Sequence, residues 1–128
     1  MPLIAQLFAL IAGFLHVLFF YLESITFSRP ATWGRFGIAS QQDADTVGPM
    51  AFNQGFYNLF LAIGIGVGLL LVNAGNTSAG TAIVLFACAS MVAAGTVLVL
   101  SNRPLIRSAA IQAVPPLIAI VAAVALRS

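Results

Sequence analysis

Four long apolar segments, separated by polar or turn-forming residues, make up most of the chain. They lie at about residues 2–23, 50–72, 80–101 and 105–126. A helix of roughly 20 apolar residues is long enough to cross the hydrocarbon core of a bilayer. The pattern therefore predicts an all-α fold, with a single integral membrane domain over residues 1–128 built as a four-transmembrane-helix bundle.

One substantial connection is predicted, a loop of about 24 residues between the first and second segments. Its helix breakers are Pro30, Gly34, Gly37 and Gly48. A structureless loop of this length is uncommon in a compact protein. Ser40, followed three residues later by Asp43, is typical of a helix N-terminus. We therefore expect a short helix near residues 41–47 inside this long connection.

The composition agrees with a membrane protein and excludes several other classes. Hydrophobic residues make up 61% of the chain and charged residues only 6%, whereas a soluble domain has about 25% charged residues. A net charge of +2 is too small for a nucleic-acid-binding surface. The single cysteine, Cys88, excludes a disulfide within the chain and any multi-cysteine metal site. We expect no metal, no cofactor and no nucleic-acid partner.

The arginines predict the orientation of the bundle. Arg29 and Arg35 follow the first segment, and Arg103 and Arg107 follow the third, whereas the opposite side carries only Arg127. Short loops rich in basic residues stay in the cytoplasm. The sequence therefore predicts a bacterial cytoplasmic (inner) membrane protein in which loops 1–2 and 3–4 are cytoplasmic and both termini lie outside.

Polar residues inside the apolar segments are the candidates for chemistry. His16 lies near the middle of the first segment, and Glu23 lies two helical turns further along on the same face. The second segment opens with polar residues, of which Gln54, Tyr57 and Asn58 are expected to share one face, with Asn53 at its edge. Gln112 lies at a similar depth in the fourth segment. We expect these residues to form a polar pocket in the cytoplasmic half of the membrane.

Proline and glycine modify two of the segments. Pro115 and Pro116 lack amide hydrogens and are expected to kink the fourth segment beside Gln112. Gly64 and Gly68 form a GxxxG pattern, which permits close helix packing within the bundle or in a homodimer.

Three stretches of the chain carry a resemblance to a known family. The segments HVLFFYLE, NQGFYN and IQAVPPLIAI, at matching separations, resemble the DUF1304 family of small bacterial four-helix membrane proteins over nearly the whole chain. The family usually has a Glu directly before the His, whereas this chain has Leu15 and so lacks that carboxylate. The resemblance implies the four-helix architecture and no particular reaction. It singles out His16, Glu23, Asn53, Gln54, Tyr57, Asn58 and Gln112.

The first functional hypothesis is a pocket for a lipophilic small molecule, such as an isoprenoid or another membrane lipid. His16 would take or give a proton, and Glu23 would tune it or act as the acid in isomerase- or cyclase-like chemistry. The ligand-binding residues would be Asn53, Gln54, Tyr57, Asn58 and Gln112.

Two alternatives remain open at this stage. In the first, the polar residues serve only to specify helix packing in a structural or scaffold subunit. The chain also has the size of a small proton-coupled multidrug exporter, in which Glu23 would alternate between a proton and a cationic substrate.

Overall fold

The computed structural model describes residues 1–126, and these form an up-and-down helical bundle. The helices are α1 (Leu3–Phe20), α2 (Pro30–Trp33), α3 (Gln41–Asn73), α4 (Thr77–Ser101) and α5 (Ile106–Ala125). A π-helical turn, Tyr21–Ile25, extends α1 and is called the π-turn below; 3-10 turns follow α2 (Gly34–Phe36) and precede α5 (Arg103–Leu105). The four long helices are apolar enough to cross a membrane, which confirms the predicted all-α, four-helix fold.

Small residues face the interior of the bundle and large apolar residues face outward. In α1 the buried positions are Ala5, Ala9, Ala12 and His16, whose spacing of three or four places them on one face. Phe14 on the opposite face is 68% exposed. Such an outward apolar surface suits lipid, since small residues let membrane helices approach one another closely while large ones contact the acyl chains.

Glycines mark the closest helix crossings. A Cβ atom added at Gly80 of α4 would lie 2.5 Å from the carbonyl oxygen of Gly68 in α3, and one at Gly95 would lie 2.8 Å from Ala113 Cβ in α5. Gly68 is therefore used inside the bundle. A Cβ at Gly64 would meet no atom within 4 Å, so only Gly64 of the GxxxG pair remains open to a second chain.

The predicted 24-residue connection between the first two segments is largely helical, which corrects that expectation. Ser40 Oγ accepts a hydrogen bond from the backbone N–H of Asp43 at 3.1 Å, as its position predicted. However, the helix that begins at Gln41 continues through Pro49 into the second apolar segment. Proline removes only one backbone hydrogen bond, and a helix that packs against neighbours tolerates that loss.

Helix α3 is longer than a membrane requires. Its 33 residues extend about 50 Å, against a hydrocarbon thickness of about 30 Å. The connection from α1 folds back onto the first turns of α3, where Phe27, Ala44 and Ala51 form a small core with Trp33, Phe36 and Ile38 around it. This small core fixes the approach of the π-turn to α3.

Helix α5 runs without interruption through Pro115 and Pro116, and Pro116 is fully buried. Four arginines are exposed: Arg29 and Arg35 between α1 and α3, Arg103 between α4 and α5, and Arg107 in the first turn of α5. The antiparallel topology places all four at one end of the bundle. Arg127, the fifth arginine of the orientation argument, lies outside the described residues.

Candidate functional site

A buried hydrogen bond joins the π-turn to α3. Asn58 Nδ2 donates to Glu23 Oε1 at 2.5 Å, and the two side chains are only 9% and 8% exposed. A carboxylate within an apolar segment is costly unless it faces the protein interior and accepts hydrogen bonds. Asn58 therefore supplies the donor that lets Glu23 stay in this position.

Gly55 explains why these two helices come close enough to form that bond. A Cβ atom at Gly55 would overlap Ser24 Oγ and would lie 3.1 Å from the carbonyl oxygen of Phe20. Ser24 Oγ also donates to the carbonyl oxygen of Phe52 at 2.8 Å. Since Asn58 lies one turn after Gly55, the close crossing at the glycine carries Asn58 to Glu23.

The backbone around Glu23 departs from α-helical geometry. The N–H of Thr26 donates to the carbonyl oxygen of Tyr21 at 3.0 Å, five residues earlier, which defines the π-turn. The π-turn forms the C-terminal end of α1, a place where such turns commonly end a helix. The hydroxyl groups of Thr26 and Thr32 share a buried hydrogen bond, with 3.1 Å between the oxygens.

His16 lies deeper in the bundle and carries an unpaired nitrogen. Its Nδ1 lies 2.8 Å from the carbonyl oxygen of Ala12; because a carbonyl can only accept, Nδ1 carries the hydrogen. Nε2 is then an acceptor, and it is buried without a hydrogen-bond partner. The ring packs edge-on against Phe19, with ring centroids 5.0 Å apart. A buried unpaired acceptor costs roughly 1–3 kcal/mol, so His16 is an unfavourable choice for packing alone.

Glu23 also forms part of the wall of an open cavity of about 280 Å³, called the Glu23 cavity below. The cavity lies between the π-turn and the first turns of α3. Its polar wall contains Ser24, Ser28 and Asp45, and its apolar wall includes Phe27 and Phe52. His16, Asn58 and Gln112 are not among the lining residues of this cavity.

The predicted site residues therefore separate into three groups. His16, Glu23 and Asn58 are buried, Gln112 is half-buried, and Asn53, Gln54 and Tyr57 are exposed. The sequence places Gln54, Tyr57 and Asn58 on one face, but in the structure Asn58 points into the bundle while Tyr57 is 68% exposed on its outer side. Gln112 shares a face of α5 with buried Pro116, four residues further on.

Three residues of the cavity region were missed by sequence reasoning. These are Ser24 and Asp45, which line the cavity, and Gly55, which lies at the helix crossing beside it. Gly55 stands inside the NQGFYN segment and Ser24 directly follows Glu23, so both were within reach of a local argument. Asp45 was not, because its position depends on α3 beginning before Pro49.

Two further features of the described residues concern metal binding and a second cavity. Among residues 1–126, no group of three or more His, Cys, Asp or Glu side chains converges in a way that could hold a metal ion. A larger groove of about 560 Å³ lies between α3 and α4 and is almost purely apolar. Tyr57, Phe60, Gly64 and Phe86 contribute to its walls.

Comparison with known proteins gives one match. No curated protein and no solved structure matches the chain. A family model described as protein of unknown function (DUF1304) matches residues 10–124. This range contains His16, Glu23, the NQGFYN segment and Gln112. The chain therefore belongs to the DUF1304 family.

Proposed function

We propose that this protein binds a lipophilic small molecule from the bilayer and holds its polar end in the Glu23 cavity. One observation carries the proposal: Glu23 is buried, is hydrogen-bonded by Asn58 and at the same time lines an open cavity. A carboxylate that served only helix packing would need no cavity beside it. The volume, about 280 Å³, is near the lower end of ligand pockets and suits a head group with a short stretch of chain.

Glu23 and His16 are the proposed acid–base groups. Glu23 would exchange a proton with the bound head group, and Asn58 would keep the carboxylate in place. The unpaired Nε2 of His16 is a second proton acceptor about 10 Å away along the helix. Isomerisation or cyclisation of an isoprenoid-like molecule requires only such proton transfers.

The remaining predicted residues would act at the periphery of the ligand. Asn53, Gln54 and Tyr57 lie on the outer side of α3, where carboxamide and phenol groups can hydrogen-bond a polar lipid group at the membrane boundary. Gln112 is half-buried, and its own carbonyl lacks the usual helical donor because Pro116 stands four residues later. We propose that these three residues of α3 and Gln112 of α5 guide the ligand and do not react with it.

The proposed orientation puts the Glu23 cavity at the cytoplasmic side of a bacterial inner membrane. Arg29, Arg35, Arg103 and Arg107 are exposed at the cavity end of the bundle, which is the distribution that retains loops in the cytoplasm. Both termini would then lie outside. Fusing a periplasmic activity reporter to either terminus tests this: an active reporter is expected, and an inactive one contradicts the orientation.

Extraction of bound lipid tests the binding proposal. Protein purified in mild detergent is expected to carry a lipophilic compound that mass spectrometry detects, and Glu23→Gln is expected to lower its amount at least fivefold. Gln6→Leu, which removes a polar group at the other end of α1, is the matched control and should keep the compound. Equal amounts in wild type and Glu23→Gln would contradict the proposal.

The chemical step is tested in the host. If the protein converts its ligand, His16→Leu and Glu23→Gln cells should accumulate the same lipid precursor and lose the same product. An unchanged lipid profile, together with retained binding in the extraction experiment, would leave a binding protein without catalysis.

A second candidate function is a membrane subunit that pairs with another copy. The apolar groove between α3 and α4 favours it, because Gly64 leaves space there and the exposed carboxamides of Asn53 and Gln54 lie on the same helix. Single-molecule photobleaching in lipid vesicles tests this. A dimer that Gly64→Phe disrupts would support it, and a monomer at physiological protein density would exclude it.

A further inference from the structure

The wall of the Glu23 cavity has four polar side chains, and three of them, Glu23, Ser24 and Asp45, offer a ligand only hydrogen-bond acceptors. Glu23 Oε1 already receives its hydrogen bond from Asn58, and the ionised form of Glu23, which a bound cation favours, has no hydrogen to donate. Ser24 gives its single hydroxyl hydrogen to the carbonyl oxygen of Phe52, so only its lone pairs remain. A ligand group that meets Glu23 and Ser24 must therefore be a hydrogen-bond donor.

Asp45 adds a second acceptor and is held in place by its neighbours. Gln41 Nε2 donates to Asp45 Oδ1 at 2.8 Å, and Gln41 in turn accepts from Trp33 Nε1 at 3.2 Å. This relay fixes one oxygen of Asp45 and leaves Oδ2 for a ligand. Among the described residues that line the cavity, none is basic, so no side chain within it neutralises the two carboxylates.

The apolar half of the wall defines the rest of the ligand. Phe27 is buried, whereas Ile25 and Phe52 are exposed on the outside of the bundle. An alkyl chain leaving the cavity past these side chains would remain in contact with apolar surface. The ligand must therefore combine a donor-rich cationic group with a hydrocarbon chain.

We propose that the ligand of the Glu23 cavity is a lipophilic primary amine, bound as its ammonium ion between Glu23 and Asp45. The inference rests on the proposed function and adds the chemical class of the molecule. An ammonium group has three N–H donors and no acceptor, which matches an acceptor wall of two carboxylates and the Ser24 hydroxyl. A neutral alcohol has one donor and no charge, and an anionic head group would be repelled.

Two probes of equal chain length, dodecylammonium and dodecanol, test the proposal. The full-length protein is placed in nanodiscs of zwitterionic lipid, so that the bilayer itself carries no net charge for the ammonium. Binding is followed by the fluorescence of Trp33, the only tryptophan in the chain, because Trp33 is linked through Gln41 to Asp45. Dodecylammonium is expected to bind at least tenfold more tightly than dodecanol.

The variants separate a specific contact from a general charge effect. Asp45→Asn keeps an oxygen for Gln41 but removes the charge, and it should weaken dodecylammonium about fivefold while leaving dodecanol unchanged. Asp43→Asn removes the same charge two residues earlier, on the opposite side of α3 and outside the cavity wall, and should leave both probes unchanged. Equal weakening by both substitutions would overturn the proposal.

Different results would overturn the ammonium specificity and the proposed ligand site. If dodecanol binds as tightly as dodecylammonium and Glu23→Gln weakens both, the ammonium inference is wrong and the Glu23 cavity remains a ligand site. If neither probe binds and the extracted protein carries no lipid, the proposed function is wrong as well.

Discussion

The two ends of the α1–α3 pair have the same type of contact in different surroundings. At one end Asn58 of α3 donates to Glu23, which follows α1 in the π-turn. At the other end Asn73 of α3 donates to Gln6 of α1 at 2.9 Å. The first pair is buried beside a cavity, whereas Asn73 is exposed at the end of its helix.

The difference shows which polar contact needs an explanation beyond packing. Asn73 also donates to the carbonyl oxygen of Leu69, and Gln6 also donates to that of Met1, so the polar groups at that end are satisfied by neighbouring backbone. The Glu23 end combines a carboxylate, a glycine crossing and a π-turn at the edge of the Glu23 cavity. Two neutral amides, Asn73 and Gln6, make the corresponding contact at the other end, so joining these helices does not require a carboxylate.

The largest expected effect comes from the crossing itself. Gly55→Val would place side-chain atoms where Ser24 Oγ and the Phe20 carbonyl now lie, and it should destabilise the protein by about 3 kcal/mol. SDS titration in mixed micelles measures the free energy of unfolding. Gly64→Val, at a position with no atom within 4 Å, is the matched control. Equal effects would mean that the Gly55 crossing is not tight.

The next effect concerns the donor to Glu23. Asn58→Leu removes that donor and leaves the buried carboxylate unpaired, which should cost about 2 kcal/mol. In the background Glu23→Leu the same substitution should cost much less, because no carboxylate remains to satisfy. A double-mutant cycle with a coupling near zero would show that the Asn58–Glu23 bond contributes nothing to stability.

His16 should respond in the opposite direction. His16→Leu replaces a buried ring with an unpaired Nε2 by an apolar side chain, and stability is expected to stay the same or rise by about 1 kcal/mol. The same variant should lose the proposed conversion of the ligand. Strong destabilisation would indicate that His16 has a structural role, in contrast to the functional role proposed for it.

The smallest effect is expected at the other end of the helix pair. Asn73→Leu removes the hydrogen bond to Gln6 and should cost about 0.6 kcal/mol, the usual contribution of such a bond in a membrane protein. Extracted lipid should be unchanged. If Asn73→Leu lowers the free energy of unfolding as much as Asn58→Leu does, the two ends of the α1–α3 pair contribute equally to stability and the Glu23 end is not special.

Much of the architecture was predictable, because a helix that can cross a membrane is recognised in the sequence by its length and its apolar composition. The four apolar segments, the Ser40 cap and the shared buried face of His16 and Glu23 were all expected, since each follows from local chemistry or helical periodicity. The predicted short helix near residues 41–47 and the second apolar segment were expected to be separate, but they form one continuous helix, Gln41–Asn73. Gly48 and Pro49 are strong helix breakers by propensity, but the packing of Ala44 and Ala51 against Phe27 outweighs them.

The candidate site was predictable only in part. Periodicity states which residues of α3 share a face, but it does not state which face meets α1. Asn58 lies on the stripe that includes Gly55 and Ala51 and is buried, while the neighbouring Gln54 and Tyr57 point outward. The Gly55 crossing decides this, and a crossing is a property of two helices rather than of one.

The amino-acid sequence by itself determined the all-helical class, the four helices apolar enough to cross a membrane, the scarcity of charge and the identity of the few groups capable of chemistry. These depend on composition and on the fixed geometry of a single helix. The tertiary structure alone decided that Asn58 pairs with Glu23, that Asp45 reaches the same cavity and that His16 retains an unpaired nitrogen. Each of these depends on how closely two elements distant in sequence approach, which small residues and backbone turns set together.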